Sequence, residues 1–197
     1  MTELSSFPSL CGKFLIAMPG MGDQRFERSV IYICAHSEEG AMGFIFNQVL
    51  DTPTMTDFFN QLEIVSEDET GIISEELAST NLFVGGPVEP GRGFVLHTSE
   101  YDSDSTLHVS DNVRLTATLD ILRSIVTNKG PGKSMIALGY SGWAAGQLED
   151  EIVSNGWLTA DADERIIFET PVSERYDASL KLLGIKPTAL SSDVGHA

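Results

Sequence analysis

The sequence predicts an α+β fold built on a mixed β-sheet, and three observations lead there. The stretch Lys13 to Asn47 holds three short apolar runs, Phe14–Met18, Val30–Ala35 and Ala41–Phe46. Turn chemistry separates them: a Pro-Gly turn with a charged segment after the first, and Ser37-Glu38-Glu39-Gly40 between the other two. Runs this short between turn residues read as a strand, a loop and an antiparallel hairpin. Later in the chain, apolar residues recur at helical spacing in several short blocks. Hairpins near the start with helices interspersed afterwards do not make the regular alternation of a parallel α/β fold.

After the hairpin, Met55, Phe58, Phe59 and Leu62 fall at i, i+3, i+4 and i+7, one face of a helix over 54–62 that Thr54 and Asp57 start in the manner of a capping box. Glu63, Glu67, Asp68, Glu69, Glu75 and Glu76 follow without one Lys or Arg, which reads as a solvated linker with a short helix near 74–77. Asn81–Val84 and Gly93–His97 are expected strands around a loop, GGPVEPGRG, and Glu100–Asp104 is a polar turn. Leu115, Leu119, Leu122 and Val126, broadened by Ile121 and Ile125, predict one helix that Gly130 and Pro131 end. Ser134–Gly139 is an expected buried strand. A helix over 147–154 is expected to turn Leu148, Ile152 and Val153 inward and Glu149, Asp150 and Glu151 outward. Trp157–Thr159 and Arg165–Phe168 read as strands about the acidic turn ADADE. Ser173 caps an expected last helix that buries Tyr176, Leu180 and Leu183 and closes at Gly184, before Pro187.

With 197 residues, no internal repeat and no low-complexity linker, one domain over 1–197 is expected, long enough to bury a sizeable core. A chain 42% hydrophobic and 21% charged is globular rather than disordered in composition. No apolar run nears the roughly 20 residues that span a bilayer. The start MTELSSFPSLCGKF lacks the basic and apolar regions of a secretion signal, so the expected location is the cytoplasm, with no membrane partner.

Twelve Lys and Arg against 29 Asp and Glu give a formal charge of −17. Duplex DNA is held largely by clustered cations that release counterions, so direct nucleic-acid binding is disfavoured. Solubility is the simplest consequence of the charge. The two cysteines, Cys11 and Cys34, make no disulfide framework and have no CxxC partner. Cys34 ends an apolar strand and is expected to be buried, with Cys11 more accessible.

Three motifs fall short of the chemistry they suggest. Gly130–Ser134, GPGKS, ends like a phosphate-binding loop, but Thr127 stands where a glycine is needed and a helix leads into a strand, the reverse of the required order. Gly139-Tyr140-Ser141-Gly142 has Trp143 in place of the second glycine of a nucleophile elbow. Cys34 and His36, at i and i+2, would share a strand face, but His97 and His108 complete no zinc-like spacing. No metal, no cofactor and no catalytic residue is assigned.

Several ordered blocks resemble the AlgH/YqgE family of bacterial proteins. They are Met18-Pro19 with Met21, Asp23, Phe26 and Ser29–His36; Gly40–Gly43 and Asn47; Gly85–Val88 and Arg92–His97; Leu138–Trp143; Gly146–Glu149, Glu151-Ile152 and Asn155; and the ending Gly195-His196-Ala197. Ser141 stands where the family usually has Ala, which argues further against a nucleophilic serine, and Tyr176 where it tends to have Trp. The resemblance implies a compact domain whose bifurcated sheet curls towards a pseudo-barrel with helices packed outside. It also brings a transcriptional-regulator label.

Candidate binding residues gather in two places. Asp23, Arg25, Arg28, Ser29, His36 and Asn47 lie in or beside the loops flanking the hairpin, and Gly85, Gly86 and Arg92 belong to the glycine-rich loop. Glycine admits close backbone approach and Arg recognises carboxylate or phosphate. The same residues also suit structural work: Asp and Ser cap turns, and Arg pairs with neighbouring acids. The leading expectation is a non-enzymatic regulatory protein acting through a protein or a small anionic molecule. One alternative is an enzyme using the Asp23/His36/Arg92 neighbourhood on an anionic substrate. Another is a direct DNA-binding regulator, for which the expected helix at 118–129 offers only Arg123 and Lys129.

Overall fold

The computed structural model describes residues 8–64, 73–186 and 190. Most of the acidic stretch (65–72), Pro187 and the terminal Gly195-His196-Ala197 lie outside them. Among the described residues, nine strands form one curled sheet: β1 (Lys13–Ala17), β2 (Val30–Ser37), β3 (Gly40–Ile45), β4 (Leu82–Val84), β5 (Val88–Thr98), β6 (Leu107–His108), β7 (Val113–Thr116), β8 (Ser134–Ala144) and β9 (Trp157–Asp161). Their order is β6-β7-β5-β8-β3-β2-β1-β9, with β4 added on β8. Every pairing is antiparallel except β4 with β8. Six α-helices accompany it among the described residues: α1 (Met55–Gln61), α2 (Glu75–Ala78), α3 (Leu119–Val126), α4 (Gln147–Val153), α5 (Glu164–Phe168) and α6 (Arg175–Leu182). The fold is the expected α+β class with a mixed sheet curled into a half-barrel.

Alternation along the strands explains why the first runs are apolar throughout. Phe14, Ile16, Val30, Tyr32, Phe44 and Phe46 point to one face, where Ile166, Ile167, Tyr176 and Leu180 of α5 and α6 meet them. Leu15, Ala17, Ile31, Ile33 and Ile45 point to the other, onto Trp143, Leu148 and Trp157. With both faces covered, strands need apolar residues at every position rather than at alternate ones. A third cluster packs α1 and α3 on Leu82, Val95, Ile136 and Leu138.

The sheet forks at β8. Its first half lies between β4 and β5, and from Ser141 onwards it pairs with β3. Gly85 fills the fork: its N–H donates to Leu138 O at 2.9 Å, and its carbonyl accepts from Ile45 N at 2.9 Å and from Ser141 Oγ at 3.2 Å. A Cβ on Gly85 would sit closer than 3.0 Å to the Gly139 carbonyl oxygen, and one on Gly86 closer than 3.0 Å to the Tyr140 backbone.

Several elements depart from expectation. Leu115 belongs to β7, opposite Leu96 of β5, because Val113 and Thr116 are β-branched and Thr118 is extended; α3 starts only at Leu119. Arg165–Phe168 is helical, since Asp163 accepts Arg165 N at 3.0 Å as an N-cap. β8 runs on to Ala144, and β5 begins at Val88, its register interrupted between Val88 and Gly93. The expected loop is therefore largely a bulge within a strand. Ser173 lies in a 3₁₀ turn ahead of α6 rather than at its cap, and Leu183 and Val153 are exposed. The capping box at Thr54–Asp57 is present as expected, and the short helix expected near 74–77 is α2, capped by Ser74.

His97 of β5 is buried. Its Nδ1–H donates to Thr98 O at 2.8 Å, which leaves Nε2 to accept from Thr116 Oγ1 at 2.8 Å. Burial holds its pKa below the ordinary 6.5. The folded state thus binds fewer protons than the unfolded one, so this contribution to stability is complete above about pH 6.5 and is lost as pH falls towards the depressed value. Urea midpoints measured from pH 7.5 down to 5.5 should decline, and His97→Gln should flatten that decline; equal slopes would show that His97 does not carry it.

Candidate cleft beside the sheet fork

A cleft of about 510 Å³ lies between the Met18–Phe26 segment, Pro87 and Val88, Gly142 and Trp143 at the end of β8, and the Ser154–Trp157 turn. Two indoles and one carboxylate organise its wall. Glu151 Oε2 accepts from Trp143 Nε1 at 2.9 Å and from Trp157 Nε1 at 2.8 Å, while Gln147 Nε2 donates to Oε1 at 2.9 Å. Residues i and i+4 share a face of α4, which brings Gln147 and Glu151 together. Trp143 and Trp157 meet edge to face at 6.2 Å, and Phe26 stands edge-on to Trp157 at 5.6 Å. Glu151, expected to face solvent, turns inward because buried indole N–H groups need an acceptor. Glu149 likewise turns to His36, 2.7 Å from its Nε2.

The first loop supplies the opposite wall. Asp23 caps the Gln24–Phe26 turn by accepting Arg25 N at 3.0 Å, and it grips the Arg25 guanidinium through Nε at 3.0 Å and Nη2 at 2.6 Å. Those hydrogen bonds hold the Asp23 carboxyl below its ordinary range. Asp23 and Arg25 both line the cleft, and the glycine-rich segment reaches it through Pro87 and Val88.

The other candidates have separate places. Arg28 stacks over Tyr176 at 4.4 Å and lies 3.5 Å from Asp177. Ser29 is fully buried and its Oγ accepts from Gln48 Nε2 at 3.2 Å. Asn47 ties the loop to the sheet, accepting Val30 N and donating to Arg28 O, both at 2.8 Å. Gly85 and Gly86 form the fork. Arg92, on the β5 bulge, lies over Phe94 at 5.0 Å and 3.6 Å from Glu89, and lines a different cavity with Leu62 and Leu119.

His36 lines a neighbouring cleft of about 720 Å³ that shares Val88, Gly142 and Trp143 with the first. Its Nδ1 accepts Leu10 N at 2.9 Å, so Nε2–H is the donor to Glu149. Cys11 and Cys34 line this cleft too; Cys11 Sγ donates to Cys34 O at 3.2 Å. Burial pushes both thiols above their ordinary pKa, the opposite of an activated nucleophile. His97 and His108 are engaged elsewhere, with Thr116 and Asp102. Among the described residues, no three Cys, His, Asp or Glu side chains converge on a metal position. Sequence reasoning missed Trp157 and Glu151 as cleft residues. The signal was present as Gln147 and Glu151 one turn apart on a short amphipathic helix, with Trp157 shortly after it.

Proteins similar to this chain over nearly its whole length fall in one class, the AlgH-like proteins. The family model described as AlgH-like (DUF179) matches residues 14–188. A UPF0301 protein of Sinorhizobium medicae is 51% identical over 188 residues, covering 95% of this chain and 93% of that protein. A UPF0301 protein of Bradyrhizobium diazoefficiens is 52% identical over 194 residues, covering 98% and 91%. The solution structure of AlgH from Pseudomonas aeruginosa is 38% identical, with a TM-score of 0.79 and full coverage of both chains. A Corynebacterium diphtheriae protein, 21% identical with a TM-score of 0.66 over 91% of this chain and 88% of that one, shares the fold. The chain belongs to the AlgH-like family.

Proposed function

We propose that this chain is a non-enzymatic cytoplasmic regulatory protein that acts by binding a partner protein in the cleft walled by Asp23, Arg25, Pro87, Trp143 and Trp157. The observation that carries this reading is a preformed aromatic and polar cleft whose ionisable groups are already engaged. Glu151 holds two indoles, and Asp23 holds Arg25. A protein surface can use such walls through shape and backbone exposure, and Gly20, Gly22, Gly142 and Gly156 leave backbone open along them. An anionic small molecule is served less well here, because Arg25, the one Lys or Arg among the lining residues, is already gripped by Asp23.

Direct operator binding runs against the charge distribution. Lys13, Arg25, Arg28, Arg92, Arg123, Lys133 and Arg165 are all ion-paired, on a chain of formal charge −17. Fluorescence anisotropy at physiological salt should show no sequence-selective binding of duplex DNA.

Ser154 is exposed on the cleft rim. Ser154→Arg should leave stability within about 0.5 kcal/mol, as surface changes do, while reducing capture of the partner from native lysate severalfold. A captured protein retained equally by wild type and Ser154→Arg would place its binding elsewhere.

A further inference from the structure

Arg175, at the start of α6, is the only Lys or Arg that the fold buries among the described residues, with 7% of its surface exposed. Its Nε donates to Thr170 O at 2.9 Å and its Nη1 to Phe46 O, and its guanidinium lies 5.1 Å from the Phe83 ring centre. These contacts hold the side chain in place without neutralising it. No carboxylate pairs with it, and Nη2 has no hydrogen-bond partner among the described residues. A buried guanidinium left without a counter-charge is costly. Desolvation lowers its pKa to about 10, so it stays charged at neutral pH.

The same side chain lines a cavity of about 240 Å³ between β4, β8, α1 and α2. Met55, Leu77, Phe83, Ile136 and Val172 make most of the wall apolar, and Asn81 and Ser134 add an amide and a hydroxyl. Both of these polar residues are exposed, so their side chains are open to solvent. The site thus combines one buried positive charge without a carboxylate partner, two solvent-exposed polar groups and an apolar wall, separate from the cleft at Glu151.

We propose that this cavity binds a small monocarboxylate with an apolar body. The carboxylate would take the free Nη2 of Arg175, with Asn81 or Ser134 as a second donor, and the body would lie against Ile136, Met55 and Leu77. One cation matches one negative charge. A phosphate dianion would need a second cation, and Lys133, beside Ser134, is already paired with Glu169. Charge-assisted hydrogen bonds to a desolvated guanidinium distinguish a carboxylate from a neutral or cationic molecule of the same body.

The test is a titration of the full chain with hexanoate, hexanol, hexylamine and inorganic phosphate, by calorimetry and by NMR of the Leu77, Ile136 and Val172 methyl groups. Hexanoate should bind saturably and at least about tenfold more tightly than the other three, a difference of about 1.4 kcal/mol, with shifts at those methyls. Val172→Phe, filling the chamber from its half-buried rim, should weaken hexanoate about tenfold with little change in thermal midpoint. Arg175→Lys should also weaken it, and if that variant does not fold, the methyl shifts and ligand ranking still decide. Absence of saturable hexanoate binding, equal affinity for hexanol, tighter binding of phosphate, or shifts confined to other methyls would overturn the proposal.

Discussion

Gly86→Ala is expected to lose roughly 3 kcal/mol or more of stability, at the upper end of what overpacking costs. The new Cβ would fall within 3.0 Å of the Tyr140 and Ser141 backbone. Backbone cannot give way there, because Tyr140 pairs with Val88 on one side and Ser141 with Gly43 on the other. Relief would require opening the fork, which also carries the Gly85 carbonyl bonds to Ile45 and Ser141. Gly91→Ala is the matched comparison, since a Cβ there meets open space and its φ is not positive. That substitution should be neutral or stabilising by up to about 1 kcal/mol through the unfolded chain. Urea denaturation of both variants checks the contrast. A Gly86→Ala midpoint close to wild type would show that the fork can rearrange.

Glu151→Ala is expected to cost about 2–4 kcal/mol, because it strands two buried indole N–H groups at once and each unsatisfied donor costs roughly 1–3 kcal/mol. Trp143 and Trp157 are nearly inaccessible, and water entering from the cleft that Glu151 lines would restore these bonds only in part. Glu151→Gln keeps one acceptor oxygen and should lose about half as much. Tryptophan emission should shift to the red in Glu151→Ala, reporting water at the indoles, and partner capture should fall with it. A variant with unchanged emission and unchanged denaturation midpoint would make the carboxylate dispensable to the cleft.

Legibility in the sequence followed the range of the interactions concerned. The capping box of α1 involves residues three apart and is readable in the sequence. The β2–β3 hairpin was readable for the same reason. Leu115 was misplaced because its spacing to Leu119 matches a helical turn, while its strand state depends on pairing with Leu96, a partner outside any local pattern. Arg165–Phe168 departs from that rule: Ile166 and Ile167 read equally as strand, and the local Asp163 cap, two residues before Arg165, is what decides for helix. At the candidate site, Asp23 and Arg25 were identified and do line the cleft. Ser29 and Asn47 hold the loop to the sheet, and Gly85 and Gly86 hold the fork. The sequence marks all of these residues as special without saying which special task each performs.

By itself, the sequence determined the family, the α+β class and the strongly acidic surface, since composition, short-range turn chemistry and ordered motif blocks are all properties of the chain. Only the tertiary structure decided where the chemistry stands. Glu151 meets Trp143 and Trp157 because β8, α4 and β9 converge, and Arg92 leaves the neighbourhood of Arg25 because the segment carrying it becomes a bulge of β5. Arg175 becomes a buried, uncompensated charge because α6 lays it between Phe46 and Phe83, far from it in sequence. These juxtapositions come from strand order and helix docking, and long-range packing of that kind leaves no spacing in the sequence to read.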